Sequence, residues 1–332
     1  MTDSSAVAQL AWLISDGAAG NMRQCAALAR AMGLADTETR LVGLRQPWRA
    51  LAPRLTVGAQ RAFVPPVQPP WPALAIGCGR QAALLTRLLR GWSGGATFTV
   101  QILDPRIDAA TFDVVVAPRH DGVAGGNVIA PLGALNPVDD EWLRQAKVDF
   151  STLQQLPQPR SALLVGGPRR GLGLDAAWLE TFVAHIEAML QRAGGSLMVA
   201  LSRRTPPQWR ERLRGAFGNG CVHFWAGVQD GINPYPGYLA WAERIIVTPD
   251  SVNMLSEACA TGVPVLSLLP AAAGGRIAAF HAALRAEGRL QSLDNVDIST
   301  LPQIAPLRET AAVAAQIRQR YSERGAVAPA PP

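Results

Sequence analysis

Short apolar runs recur along the chain, each ended by glycine, proline or a polar corner. LAWLIS (10–15), ALAIGCGR (73–80), TFTVQIL (97–103) and FDVVVAP (112–118) are the first four. They are too short for core helices and too continuous for strands with one wet face. They predict strands buried on both faces, as in a parallel sheet. Between them the spacing turns helical. After the loop DGAAGN (16–21), Cys25, Leu28, Ala29 and Met32 share a helix face, and QAALLTRLLR (81–90) follows the second run. Strand, glycine-bearing loop and helix form the repeating unit of a doubly wound sheet. PPVQPPWP (65–72) reads as a rigid connector.

The pattern restarts after LQQLPQPR (153–160). SALLVGGP (161–168) predicts a buried strand ending in a glycine turn, and 175–194 a long helix with Asp175 at its N-cap. SLMVALSRRTP (196–206), CVHFWAG (221–227), RIIVTPD (244–250) and VPVLSL (263–268) supply four more strands. The fold class is therefore α/β with two Rossmann-like doubly wound domains, 1–155 and 156–307. An amphipathic helix over 308–323 is expected to pack back on the first domain, and 324–332 reads as a disordered tail.

Composition narrows the function. At 332 residues the chain exceeds one typical core. Its 48% hydrophobic and 17% charged content suits a water-soluble α/β protein. Net charge is +6, which favours anionic partners, and Lys147 is the sole lysine. Arginine suits bidentate phosphate contact. With no basic run, zinc knuckle or RNA-binding aromatic motif, nucleic acid is not the expected partner. Cys25, Cys78, Cys221 and Cys259 include no C-x-x-C pair, which argues against a metal site or disulfide framework. The first residues lack a signal-peptide pattern, and no apolar run is long enough to cross a bilayer. A cytoplasmic location is expected. Lys147 follows alanine, so there is no Walker A loop, and no G-x-G-x-x-G follows the first strand. Lysine-based and hydride-transfer chemistry are disfavoured.

The richest stretch is VTPDSVNMLSEACATGVPVLSL (247–268): strand, polar corner, helix, strand. Asp250 or Ser251 falls at the helix N-cap, where free N–H groups and the dipole would suit a diphosphate. Val252, Leu255 and Cys259 make a buried face, while Asn253, Glu257 and Thr261 line another side. Spacing alone also allows an ordinary amphipathic helix with a solvated Glu257.

This strand–corner–helix with Glu, followed by G-x-P, resembles the donor-site signature of GT-B glycosyltransferases, two-domain enzymes whose halves face across a cleft. More specifically, the chain resembles the bacterial family named after the plant "elongated mitochondria" fission protein. The resemblance rests on SDGAAGNMRQ (15–24), AIGCGR (75–80), VQILDPR (100–106), VAPRHDG (116–122), LGALN (132–136), GGP (166–168), SRRTP (202–206), NPYPGYLAWA (233–242) and the 247–265 stretch. It implies a nucleotide-sugar donor on the second domain, with Glu257 on the ribose and Asp250, Ser251 and Asn253 near the helix start. Gly166, Gly167 and Pro168 would admit the donor, with Arg169 beside the diphosphate; the alternative is a tight turn with solvated arginines. Ser202, Arg203 and Arg204 read as a phosphate clamp or an exposed pair. Trp225 reads as a base-stacking ring or as core. Asn233 and Tyr235 would shape the donor loop.

In the first domain, Asp16 is the first candidate for catalytic base, or else caps its loop. His120 and Asp121 form the second candidate pair. Asp104 and Arg106 read as a turn or an ion pair, and DPR is not a D-x-D metal motif. No metal or cofactor is expected. Ala18 and Ala19 depart from the basic or proline residue that relatives carry in this loop. The acceptor implied is anionic, a glycolipid or polysaccharide of the cell envelope, met from a peripheral position at the inner membrane. The alternative is a non-catalytic adaptor that keeps the fold, as in the plant relative.

Overall fold

The computed structural model describes residues 10–218, 220–296 and 301–327. The chain divides into two units, residues 1–137 with 309–332, and residues 138–308.

In the first unit, β1 (Ala11–Ser15) leads into α1 (Ala19–Met32) and β2 (Thr37–Leu41). A small insertion follows, with β3 (Gly43–Leu44) and β4 (Phe63–Val64) pairing antiparallel around α2 (Trp48–Leu51). Then come β5 (Leu74–Cys78), α3 (Arg80–Trp92), β6 (Phe98–Ile102), β7 (Val114–Val116) and β8 (Val128–Ile129). The six-stranded sheet runs β2-β1-β5-β6-β7-β8 and is parallel throughout. Its central strands β1, β5 and β6 are buried on both faces, which is why their sequences are unbroken apolar runs.

The second unit begins with α4 (Asp140–Asp149). It continues through β9 (Arg160–Val165), α5 (Ala176–Ala193), β10 (Ser196–Leu201), α6 (Pro207–Phe217) and β11 (Val222–Trp225). Next are α7 (Tyr235–Trp241), β12 (Arg244–Val247), α8 (Val252–Cys259), β13 (Val265–Ser267), α9 (Gly275–Ala286) and β14 (Gln291–Ser292). The sheet order is β11-β10-β9-β12-β13-β14, again parallel. Asp175 caps α5 as expected, accepting from Trp178 N at 2.8 Å.

Two boundaries read from the sequence are corrected. Residues 138–155 belong to the second unit. Phe150 and Leu153 pack so closely on Gly237 that a Cβ there would lie 2.5 Å from Phe150 Cβ. The Trp241 indole N–H also donates to the Phe150 carbonyl at 3.0 Å. At the other end, α10 (Thr310–Val327) continues past residue 323, so 324–327 are helical rather than tail; residues 328–332 lie outside the described residues. Val313, Ala314 and Ile317 of α10 enter the first unit's core beside Cys25 and Leu28.

In each sheet the strand order reverses once, between β1 and β5 and between β9 and β12. The loops leaving the C-terminal ends of those strands diverge there, which is where open α/β sheets take their ligands.

Candidate functional site

In the second unit the reversal point is occupied by Asp250. Its carboxylate is fully buried and accepts from the Thr248 hydroxyl at 2.7 Å, from Gly167 N–H at 3.2 Å and from Arg204 Nη2 at 2.5 Å. Thr248 Oγ1 in turn accepts from Gly166 N–H at 2.7 Å. This network explains the two glycines. A Cβ at Gly166 would sit 2.2 Å from the Asp250 carboxylate, and one at Gly167 would sit 2.3 Å from the Arg204 carbonyl. The double glycine is thus required for packing inside the unit. Asp250 itself faces inward; it holds Arg204, whose side chain remains about half exposed.

The N-cap of α8 is Ser251, whose hydroxyl accepts from Met254 N at 3.3 Å. Leu255 and Cys259 are fully buried as the spacing predicts. Glu257 is not the solvated glutamate that spacing allowed, for it is only 3% exposed and accepts a hydrogen bond from the Tyr235 hydroxyl. Asn253 lies half-buried one turn earlier. Asn233 acts at the start of α7, its Oδ1 accepting from Tyr235 N at 3.0 Å. It therefore positions the tyrosine that holds Glu257.

The Ser202–Thr205 corner is divided in role. The Ser202 and Thr205 hydroxyls both donate to the Gly166 carbonyl, at 3.1 and 2.5 Å, so the hydroxyls serve the turn and only the arginines remain for an anion. Arg203 is exposed, as are Pro168, Arg169 and Arg170, and Arg169 Nη1 lies 3.5 Å from the Asp250 carbonyl. Trp225 is half-buried on the edge strand, its indole N–H donating to the Gly231 carbonyl at 3.1 Å. Neighbouring Phe224 has the Arg214 guanidinium over its ring at 4.6 Å.

Two contributors carried no sequence signal of their own. Thr248 is the hub between Gly166 and Asp250. His281, fully buried on α9, donates from Nε2 to the Pro249 carbonyl at 3.0 Å and so braces the corner that starts α8. Burial pushes its pKa down to about 4, against a smaller upward pull from that carbonyl. The imidazole is neutral at pH 7.

In the first unit, Asp16 is exposed and caps its own loop, Oδ1 accepting from Ala18 N at 3.1 Å and from Asn21 Nδ2 at 3.0 Å. Asn21 also abuts Gly79, where a Cβ would lie 2.7 Å from Nδ2. Asp16, Asn21 and Gly79 thus meet at the β1/β5 reversal. His120 and Asp121 are half-buried in a short 3-10 turn, Arg119–Asp121, after β7, at the same edge. Asp104 and Arg106 form a local turn, with Arg106 Nε 3.2 Å from Asp104 Oδ2. Among the described residues no group of three or more His, Cys, Asp or Glu is arranged to hold a metal ion.

The UDP-GlcNAc 2-epimerase of Neisseria meningitidis, solved bound to UDP-GlcNAc, superposes with a TM-score of 0.55, covering 94% of this chain and 99% of that one at 12% identity. The S. aureus MnaA–UDP co-structure gives 0.54 over 94% of this chain and 89% of that one, also at 12% identity. At such identity the likeness establishes the fold, that of the two-domain GT-B enzymes. The Arabidopsis thaliana "Mitochondrial fission protein ELM1" is 30% identical over 280 residues, 76% of this chain, and the chain spans 65% of that protein's length. The "Uncharacterized protein RP120" of Rickettsia prowazekii is 22% identical over 78% of this chain and 83% of its own length. A family model described as Mitochondrial fission ELM1 matches residues 19–321, and the chain belongs to that family.

Proposed function

We propose that the second unit binds a nucleotide-sugar and that the protein is a glycosyltransferase. The carrying observation is the pairing, at one sheet edge, of a buried carboxylate in α8 with arginines held at the reversal point. The start of α8 and Arg169, Arg170, Arg203 and Arg204 would take the diphosphate, with Asp250 fixing Arg204. Glu257 would accept a ribose hydroxyl in place of, or beside, the Tyr235 hydroxyl.

In the transfer, the acceptor oxygen bonds to the sugar's anomeric carbon as the bond to the diphosphate breaks. Charge collects on the leaving diphosphate, where the arginines and helix dipole stabilise it without a metal. The acceptor's proton goes to a base of the first unit: Asp16, whose second carboxylate oxygen could turn to the acceptor, or else the His120–Asp121 pair. An anionic envelope glycolipid or polysaccharide, met in the cytoplasm at the inner membrane, suits the positive charge.

A second reading is favoured by one observation: Glu257 already has an internal partner in Tyr235. A carboxylate satisfied within the fold fits an adaptor that keeps the scaffold without the chemistry. A thermal-shift panel of UDP-, GDP-, ADP- and CMP-sugars on the wild type and Glu257→Ala separates the two. Stabilisation by one donor class, lost in the variant, supports the transferase. No response from any donor supports the adaptor. Donor conversion without an added acceptor would instead indicate epimerisation.

A further inference from the structure

The chain's charge is unevenly placed. The first unit holds fifteen arginines against ten acidic residues, a net +5, whereas the second holds sixteen basic against fifteen acidic residues, a net +1. Within the first unit the excess is concentrated further. From residue 39 to residue 103 there are eight arginines and not one Asp or Glu.

Several of these arginines are structural. Arg80 donates to the carbonyls of Arg49, Ala50 and Ala52, and Arg87 to that of Pro53, so both anchor the β3–α2–β4 insertion to α3. Arg40 pairs with Glu38 at 2.8 Å, and Arg90 lies 3.5 Å from Asp113. The other four, Arg45, Arg49, Arg54 and Arg61, are exposed, and among the described residues none of their guanidinium groups has a hydrogen-bond or ion-pair partner. All four lie in the insertion. Its backbone brings three of them together: Arg49 N donates to the Arg45 carbonyl, and Arg45 N to the carbonyl of Ala62, next to Arg61.

The same insertion exposes apolar surface. Of the seven large apolar side chains exposed among the described residues, four are here or at its start: Leu41 (58%), Leu51 (52%), Val57 (80%) and Val64 (48%). The insertion is a compact platform and not a loose loop. Gly43 pairs with Val64, the Trp48 indole N–H donates to the Val57 carbonyl at 3.0 Å, and Ala52, Ala59, Ala62 and Phe63 are buried beneath.

We propose that this platform docks the protein on an anionic lipid bilayer. Unpaired arginines meet the headgroup phosphates, while Leu51, Val57 and Val64 enter the headgroup–acyl boundary. Charge alone would also suit nucleic acid. Protruding aliphatic side chains between arginines favour the bilayer, because they gain from an apolar layer that a nucleic-acid backbone does not offer. The platform follows the C-terminal end of β2 and is tied to the start of α3, so it borders the sheet edge that carries Asp16. The inference stands apart from the proposed transferase activity and holds equally for an adaptor.

The test is co-sedimentation of the full chain with vesicles of phosphatidylcholine alone and with about one third phosphatidylglycerol. Wild type should sediment with the anionic vesicles, and much less so in high salt. Arg45→Gln/Arg49→Gln should weaken that binding by roughly fivefold for each arginine removed. Val57→Asp should weaken it with the arginines intact, by loss of apolar insertion. All three positions are exposed, and an unchanged melting temperature would confirm folding. Equal binding to both vesicle types, no binding to anionic vesicles, or undiminished binding by the double variant would overturn the proposal. So would binding of single-stranded RNA in place of vesicles at the same salt. A failed sugar-nucleotide panel with intact vesicle binding would sink the transferase reading alone.

Discussion

At the level of single residues, the second unit's site is an inward-facing network that displays an outward-facing charge. Asp250 is fully buried, yet three donors converge on it, and the one it fixes at the surface is Arg204. His281 performs a similar service from the other side, holding the Pro249 carbonyl with a neutral ring. That neutrality has a measurable consequence. A histidine held near 4 in the fold and near 6.5 when unfolded lets the unfolded chain bind more protons between those values. Stability should therefore fall as pH drops from about 6.5 to about 4, by on the order of 3 kcal/mol from this group. His281→Gln keeps an N–H for the Pro249 carbonyl but does not titrate. Urea unfolding of both proteins across that range should show wild type losing stability more steeply, with the carboxylates common to both cancelling in the difference. Parallel curves would mean that the buried ring is not the cause.

Elements differ in how legible they are. The central strands β1, β5, β6, β9, β10 and β12 announce themselves because burial on both faces demands unbroken apolar runs. The edges do not. TETRL in β2 alternates exposed and half-buried positions, and β8 and β14 are two residues each, too short to carry a period. Helix α7 is hidden by Pro234 and Pro236, which read as loop although Pro is well tolerated in a first helical turn. That omission concealed the main fact about Glu257, since its partner Tyr235 arrives only when α7 docks. The corner at 249–251 was visible as a corner, but which of its side chains faces inward depends on Thr248 and Gly166 meeting across two strands. Likewise α10 and its return to the first unit are legible in the sequence, whereas the bonds that fasten its start are not. Glu309 accepts from Leu132 N at 2.9 Å and Gly133 N at 3.1 Å, and Thr310 Oγ1 exchanges hydrogen bonds with Asn136 N and O. Charge-assisted bonds of this kind contribute about 1.5–3 kcal/mol when removed. Glu309→Ala should lower stability by about that much. Hydrogen exchange should place the loss in the first unit, around residues 132–136 and α10, with β9–β14 unaffected.

Across the whole molecule, both sheets are parallel with six strands and one reversal of order. The reversal follows the second strand in the first sheet and the third strand in the second, and the chain treats the two units differently. The second is a single continuous segment, and among the described residues its core, from Leu163 and Val165 through Phe182, Ile186, Val199 and Leu213 to Ile246 and Leu266, is built from residues of that segment. The first is interrupted, because Val313, Ala314 and Ile317 return from the far end of the sequence to close the face formed by Cys25, Leu28 and Met32. Without α10 that face would be open, and each fully buried aliphatic side chain lost from a core contributes about 1.5–3 kcal/mol in burial alone. A fragment of residues 138–308 should therefore melt cooperatively by circular dichroism near the temperature of its counterpart in the full chain. A fragment of residues 1–137 should melt roughly 6–20 °C lower than the same fragment carrying 309–327 on a flexible linker, since a domain of this size shifts by about 2–4 °C per kcal/mol. Equal melting of the two first-unit fragments would show that α10 lies on this unit as an appendage and not as part of its core. Failure of the 138–308 fragment to fold would show instead that the second unit's continuity in sequence does not amount to independence.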